Sequence, residues 1–290
     1  MSQRTSSTLF VFLAALLFSI GGLCIKLIPW NALAINGARN LISVVIIAVY
    51  LKITHHRVVI NPAVIFGAVC MTGTTTLYVL ANKLTTAANA IVLQFTAPAF
   101  VILLSLIIFR KKPGRTDIIT CLCVCAGIVC FFVDSLTTGG TAGNIVAVLS
   151  GVCYAGVFMM NSFENSDSLS SILLGQALSA VIGIWFLFGE SDFSFRPMLG
   201  IVLLGVFQLA LAYIFMARGL EHTSPTAASL TSAIEPILNP ILVAIFFGEL
   251  ITPLALVGAG IVIVSVVVYN IVAARSSAAD TSQPSKEYRS

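Results

Sequence analysis

Thr223-Ser224-Pro225-Thr226-Ala227-Ala228-Ser229-Leu230-Thr231-Ser232-Ala233-Ile234-Glu235-Pro236-Ile237-Leu238-Asn239-Pro240 opens a mostly apolar run that closes on Phe246-Phe247-Gly248-Glu249. About 20 helical residues, each rising 1.5 Å, cross a hydrocarbon core of roughly 30 Å. Glu235 then falls near the middle of the crossing, where a carboxylate costs about 2.5–3.5 kcal/mol even on the lenient insertion scale. Pro236 and Pro240 donate no backbone hydrogen bond, so carbonyls one turn earlier lose their partners. In lipid those carbonyls need protein or water instead. Such a helix is tolerable only inside a bundle, facing polar groups or a wet cavity.

The rest of the chain agrees with a membrane setting. Of its 290 residues, 58% are hydrophobic and only 9% charged, against about 25% charged in soluble domains. The net charge of +4 sits in a few loops and suits an anionic leaflet rather than nucleic acid. All seven cysteines lie in apolar runs, where they act as small hydrophobes rather than a disulfide framework. Cys121, Cys123 and Cys125 lack the spacing of a zinc site, and no metal or cofactor is expected.

Outward from the opening stretch, ten apolar segments appear, starting near Leu9, Leu33, Pro62, Ala87, Asp117, Ile145, Leu169, Pro197, Thr223 and Pro253. Residues 1–8 and 275–290 are polar ends, the second expected to be disordered. Asp134–Asn144, rich in Gly and Thr, marks a boundary between residues 9–138 and 139–274. With the N-terminus inside, the inner segments hold eleven Lys and Arg, six of them Lys52, Arg57, Arg110, Lys111, Lys112 and Arg115, while the outer loops hold only Lys83 and Arg196. That asymmetry places both termini in the cytoplasm. Lys26 and Arg39 are set aside as membrane-embedded.

A shift of 138 residues aligns the two halves without a gap from residue 85 to residue 130. Thr85 falls on Thr223, Ala90 on Ala228, Pro98 on Pro236 and Phe109 on Phe247. Only eight of 46 positions are identical, so the matched turn, proline and helix end carry more weight than the count. Five segments per half invert the second half relative to the first, the inverted repeat of secondary transporters. The fold expected is therefore all-α and polytopic, with ten transmembrane helices in two inverted five-helix repeats.

With these elements in place, the chain resembles the EamA-type drug/metabolite transporters, over about residues 9–274. The match rests on Ala38-Arg39, the turn Lys83-Leu84-Thr85-Thr86-Ala87-Ala88-Asn89-Ala90, Pro98, Glu235-Pro236, Gly248-Glu249, and Gly258 with Gly260. Departures fall where the family has Trp-Gly in helix 1, here Phe18-Ser19-Ile20-Gly21, and Trp-Ala in helix 6, here Tyr154-Ala155. Arg110-Lys111 replaces the Gly-Glu of the first half. The resemblance implies a multi-pass carrier of the inner cell membrane that exports a small metabolite, with a central cavity lined mainly by helices 1, 3, 4, 6, 8 and 9.

Candidate residues along that path each have two readings. Glu235 is a proton or substrate site, or else it caps backbone groups freed by Pro236. Lys26 and Arg39 attract an anionic solute, snorkel to headgroups, or, for Arg39, pair inside the bundle. Gln94, Asn89, Gln208 and Asn239 bond either neighbouring helices or a solute. Tyr78, Tyr154 and Tyr213 line the path or simply pack, and Pro98, Pro236 and Pro240 kink their helices. The expected partners are a small-molecule substrate such as an amino acid, a proton as candidate coupling ion, and lipid, with the chain a monomer or homodimer. The competing reading is a channel-like or structural membrane protein, although no charged pore ring or filter repeat is visible. An enzyme is not expected, because neither G-x-S-x-G nor H-E-x-x-H occurs and the three histidines sit in loops or at helix ends.

Overall fold

In the computed structural model the described residues are 3–281, without 26, 86, 134, 135, 137–139 and 248–251. The side chains of 4, 82, 83, 87, 88, 240, 243, 247 and 274–281 are also outside the description. Lys26, Gly248 and Glu249 therefore lie outside the described residues, as do the side chains of Lys83 and Pro240.

Ten helices among the described residues are long and apolar enough to cross a bilayer. They are numbered as spans 1–10: Thr5–Ile25, Ala32–Ile53, Pro62–Ala81, Asn89–Phe109, Arg115–Phe132, Thr141–Phe158, Ser168–Leu187, Phe195–Leu220, Pro225–Phe246 and Pro253–Ala273. Local chemistry sets where several begin. Asn31 caps span 2 by accepting from the Leu33 amide, and Asn61 caps span 3 by accepting from Val64, with Pro62 in the first turn. Ser224 caps span 9, again with proline next, and Asp167 caps span 7. A capping oxygen satisfies an amide that the helix cannot, and proline is welcome where no amide partner is needed.

Three expectations need correcting. The first helix starts at Gln3, inside the stretch read as a polar end. Span 1 is also not continuous. It runs as Gln3–Phe18 and Gly21–Ile25, with a break at Ser19-Ile20. Finally, the last helix continues to Thr281, seven residues into the segment expected to be disordered. The sequence after Ala274 holds Ala, Ser and Arg and no proline before Pro284, so nothing local stops the helix at the membrane edge.

Small residues set the packing, as expected where lipid removes the hydrophobic drive between helices. Spans 2 and 7 meet at Gly37 and Gly183, where a Cβ on either would run into the other's backbone. Further along the same contact, Ser43 donates to Gln176 at 2.5 Å. Thr72 and Thr75 of span 3 reach Gly175 and Ser179 of span 7 at 3.0 and 2.9 Å. Spans 5 and 10 close on Gly127 and Gly258 in the same way. Spans 2, 3, 6 and 7 thus form one block and spans 5 and 10 a pair. The outward side chains are apolar, among them Ile107, Leu122, Val181 and Val264.

Candidate functional site

Spans 1, 4 and 9 are each broken within their length. Span 4 is split into Ala87–Gln94 and Ala97–Phe109, and span 9 into Pro225–Ser232 and Glu235–Phe247. Moved by 138 residues, all four bounds of the first pair land on those of the second. The hydrogen bonds across the two breaks also correspond. Ala99 and Phe100 both donate to the Thr96 carbonyl, and Ile237 and Leu238 both donate to that of Ile234. Proline forces this arrangement, because Pro98 and Pro236 cannot continue the ladder and favour the first turn of a new helix.

Span 8 is irregular without a proline. Between its α-helical ends, Leu204–Leu211 forms a π-helix, a geometry that is rare and concentrated at functional sites. Gln208 lies within it. Gly205 of the same segment brings span 8 onto span 2, where a Cβ would press on Ile42 and stand 3.1 Å from the Arg39 carbonyl.

The irregular segments hold one polar cluster. Arg39 is 7% exposed, so it does not snorkel. Its Nε and Nη2 donate to Asn36 Oδ1 at 3.3 and 2.9 Å, and its Nη1 donates to Gln208 Oε1 at 3.4 Å. Tyr78 and Tyr213 lie within electrostatic range of it. Tyr213 also lies within electrostatic range of Glu235. The half-buried Glu235 accepts from the Tyr154 hydroxyl at 3.4 Å. Phe18 packs edge-on against Tyr213 at 4.8 Å, and Phe95 against Tyr154 at 5.9 Å. The break in span 1 faces this cluster, with Gly21 in van der Waals reach of Gln208 and Gly22 against Asn239, whose side chain fills the space a Cβ would need.

Arg39, Gln208, Tyr78, Tyr213, Glu235, Tyr154 and Asn239 are thus gathered from spans 2, 8, 3, 9 and 6. Gln94 and Asn89 are placed elsewhere. Gln94 donates to Ser150 at 2.8 Å, and Ser150 to the Thr74 carbonyl at 3.0 Å, tying spans 4, 6 and 3. Asn89 joins Thr85 and Asn144 at the end of span 4 away from the chain termini. Sequence reasoning missed Asn36, the π segment and the break at Ser19.

The cluster is closed toward the face that carries the termini. There Ala97–Phe109 packs against Pro225–Ser232, and Val11, Ala14, Val101, Ala228 and Leu230 are fully buried in one apolar cluster with Phe18. Toward the opposite face, Ala87–Gln94 and Glu235–Phe247 do not pack closely among the described residues, and the second lies against Gly21–Ile25. A separate groove of about 510 Å³ opens at the terminal ends of spans 1, 2 and 8, between Ser6, Phe10, Tyr50, Arg218 and His222. No candidate site residue lines it.

A family model, the EamA-like transporter family, matches the chain twice, over residues 5–133 and 141–271. The chain belongs to that family. An uncharacterised transporter of Bacillus subtilis, YwfM, is 25% identical over 290 residues, covering 96% of this chain and 98% of its own. An uncharacterised transporter of Archaeoglobus fulgidus is 25% identical over 197 residues, covering 66% and 70%. A crystal structure with a TM-score of 0.79 covers 93% of this chain and 98% of its own at 17% identity, and so shares the fold. This EamA-like chain is a multi-pass membrane transporter of ten helices, and membership agrees with the reading against an enzyme.

Proposed function

We propose that the protein is a secondary carrier that exports a small zwitterionic or anionic metabolite, such as an amino acid, by alternating access. The observation that carries this reading is the meeting of three broken helices and a π segment around one mid-membrane acid. Discontinuous helices at the repeat interface are where secondary transporters bind substrate and coupling ion. Two inverted five-span halves, residues 9–138 and 139–274, are part of the proposal. The repeated bounds of spans 4 and 9 and the double family match support them. The excess of Lys and Arg supports cytoplasmic termini. On that orientation the cluster is sealed from the cytoplasm by the apolar layer and faces outward.

Glu235 is assigned to proton coupling, with Tyr154 as its hydrogen-bonding partner. Tyr78, Tyr213, Gln208, Asn239 and Arg39 are assigned to the substrate path, with Lys26 proposed at its outer mouth. Gln94 and Asn89 border the path while they bond neighbouring spans. Pro98, Pro236 and Pro240 are assigned to the hinges.

Counterflow in proteoliposomes tests the carrier reading. Trans-stimulation and saturation of amino-acid uptake are expected, whereas flux that neither saturates nor responds to internal substrate belongs to a channel. Cysteine labelling from outside tests the orientation. Positions in 134–144 should react and those in 110–115 should not, and the reverse pattern would remove both the orientation and the direction of export.

A further inference from the structure

We infer that Arg39 is the anion subsite of the carrier, holding the carboxylate of an amino-acid-type substrate, with Gln208 and Asn36 fixing its guanidinium. This rests on the carrier reading above. A guanidinium carries five N–H donors in a planar fork that matches a carboxylate. In Arg39 three donors are engaged, two on Asn36 and one on Gln208. Two are left over. Every acceptor it meets is a neutral amide, and among the described residues no carboxylate stands within ion-pairing distance.

A buried cation without a counter-charge is costly, and it lies in a span, where charges mark functional sites by default. Asn36 on the preceding turn of span 2 holds the fork from one side, and Gln208 on the π segment holds it from another. Tyr78 and Tyr213 lie within electrostatic range of it. Tyr213 lies within electrostatic range of both Arg39 and Glu235, and among the described residues no salt bridge joins those two charges. A zwitterion bound at this site would offer its carboxylate to Arg39 and its ammonium to Glu235. A substrate anion would supply the missing charge at Arg39 in the bound state only, so the site discriminates against cations that lack an acidic group.

The test is thermal stability of the purified full chain against the twenty proteinogenic amino acids, each paired with its α-amide, which keeps the size and loses the negative charge. At least one acid should raise the midpoint by about 2 °C or more where its amide does not. Arg39→Gln should abolish that difference. Should Arg39→Gln not fold, Gln208→Glu serves instead, because it hands the guanidinium a carboxylate of its own. It should remove the response to acids while keeping the protein folded. The inference is overturned if no acid outperforms its amide on the wild type, or if the preference survives in either variant. Counterflow separates this failure from that of the carrier reading. Acids that bind through Arg39 without trans-stimulating flux leave the subsite standing and remove the carrier.

Discussion

Spans 4 and 9 break at corresponding residues, yet only one break is charged. At span 4 the sequence is Phe95-Thr96-Ala97-Pro98, and at span 9 it is Ala233-Ile234-Glu235-Pro236. The backbone geometry is shared because proline dictates it. The chemistry differs because the side chains around it do. Thr96 satisfies its own break by donating to the Leu93 carbonyl at 2.5 Å. Gly151 of span 6 lies against the carbonyls of Leu93 and Gln94 on the same turn, close enough that a Cβ would stand 3.1 and 2.9 Å away. Span 4 is therefore locked against span 6. At span 9, among the described residues, Glu235 accepts one long bond from Tyr154, and the buried Ser232 hydroxyl has no partner. One break is closed by structure and the other keeps polar groups in reserve, which is the contrast on which the proposed role of Glu235 rests.

The largest effect expected from this contrast comes from moving the acid. Glu235→Ala combined with Ala97→Glu keeps the count of acids and puts the carboxylate at the wrong hinge. Proton-driven flux in proteoliposomes should fall to background, and restored flux would mean that the two hinges are interchangeable. Next in size is Gly151→Val, which drives a branched side chain into the span 4 carbonyls. Overpacking of this kind costs about 1–3 kcal/mol, to be read from reversible unfolding in detergent, and an unchanged stability would break the claim that span 4 is locked. The smallest pair has opposite signs. Thr96→Val should destabilise by about 0.5–1.5 kcal/mol through its lost hydrogen bond. Ser232→Ala should be neutral or stabilising, since it removes a buried hydroxyl without a partner. Equal losses at both positions would erase the difference between the hinges.

Much of this was legible in the sequence, and the reasons are local. Ten apolar stretches separated by polar loops read directly as spans, and Pro98 and Pro236 announce their breaks because neither supplies the backbone donor that a continuous ladder needs, although Pro240 sits within an unbroken helix. The break in span 1 was not legible. Ser19 donates to the Ala15 carbonyl at 2.7 Å, an interaction that serine makes in continuous helices as well. The π segment leaves no signature either, since Leu-Gly-Val-Phe-Gln-Leu-Ala-Leu is an ordinary apolar run. Polar residues in spans could be counted but not aimed. Gln94 and Arg39 look equally available in sequence, and only packing turns the first onto Ser150 and the second onto Gln208. The lone acid at the second hinge was the plainest signal of all, because its cost in lipid is high wherever the helix sits.

The central claim is that the charged hinge is the working one, and Glu235→Gln tests it most directly. Glutamine keeps the shape and most of the hydrogen bonding of the glutamate beside Tyr154 but cannot ionise. Expression and folding should be unchanged. Flux driven by a pH gradient should collapse, and the pH dependence of any remaining flux should disappear, while exchange of bound substrate across the membrane persists. Wild-type flux with unchanged pH dependence in this variant would contradict the account and leave Glu235 a structural cap for Pro236.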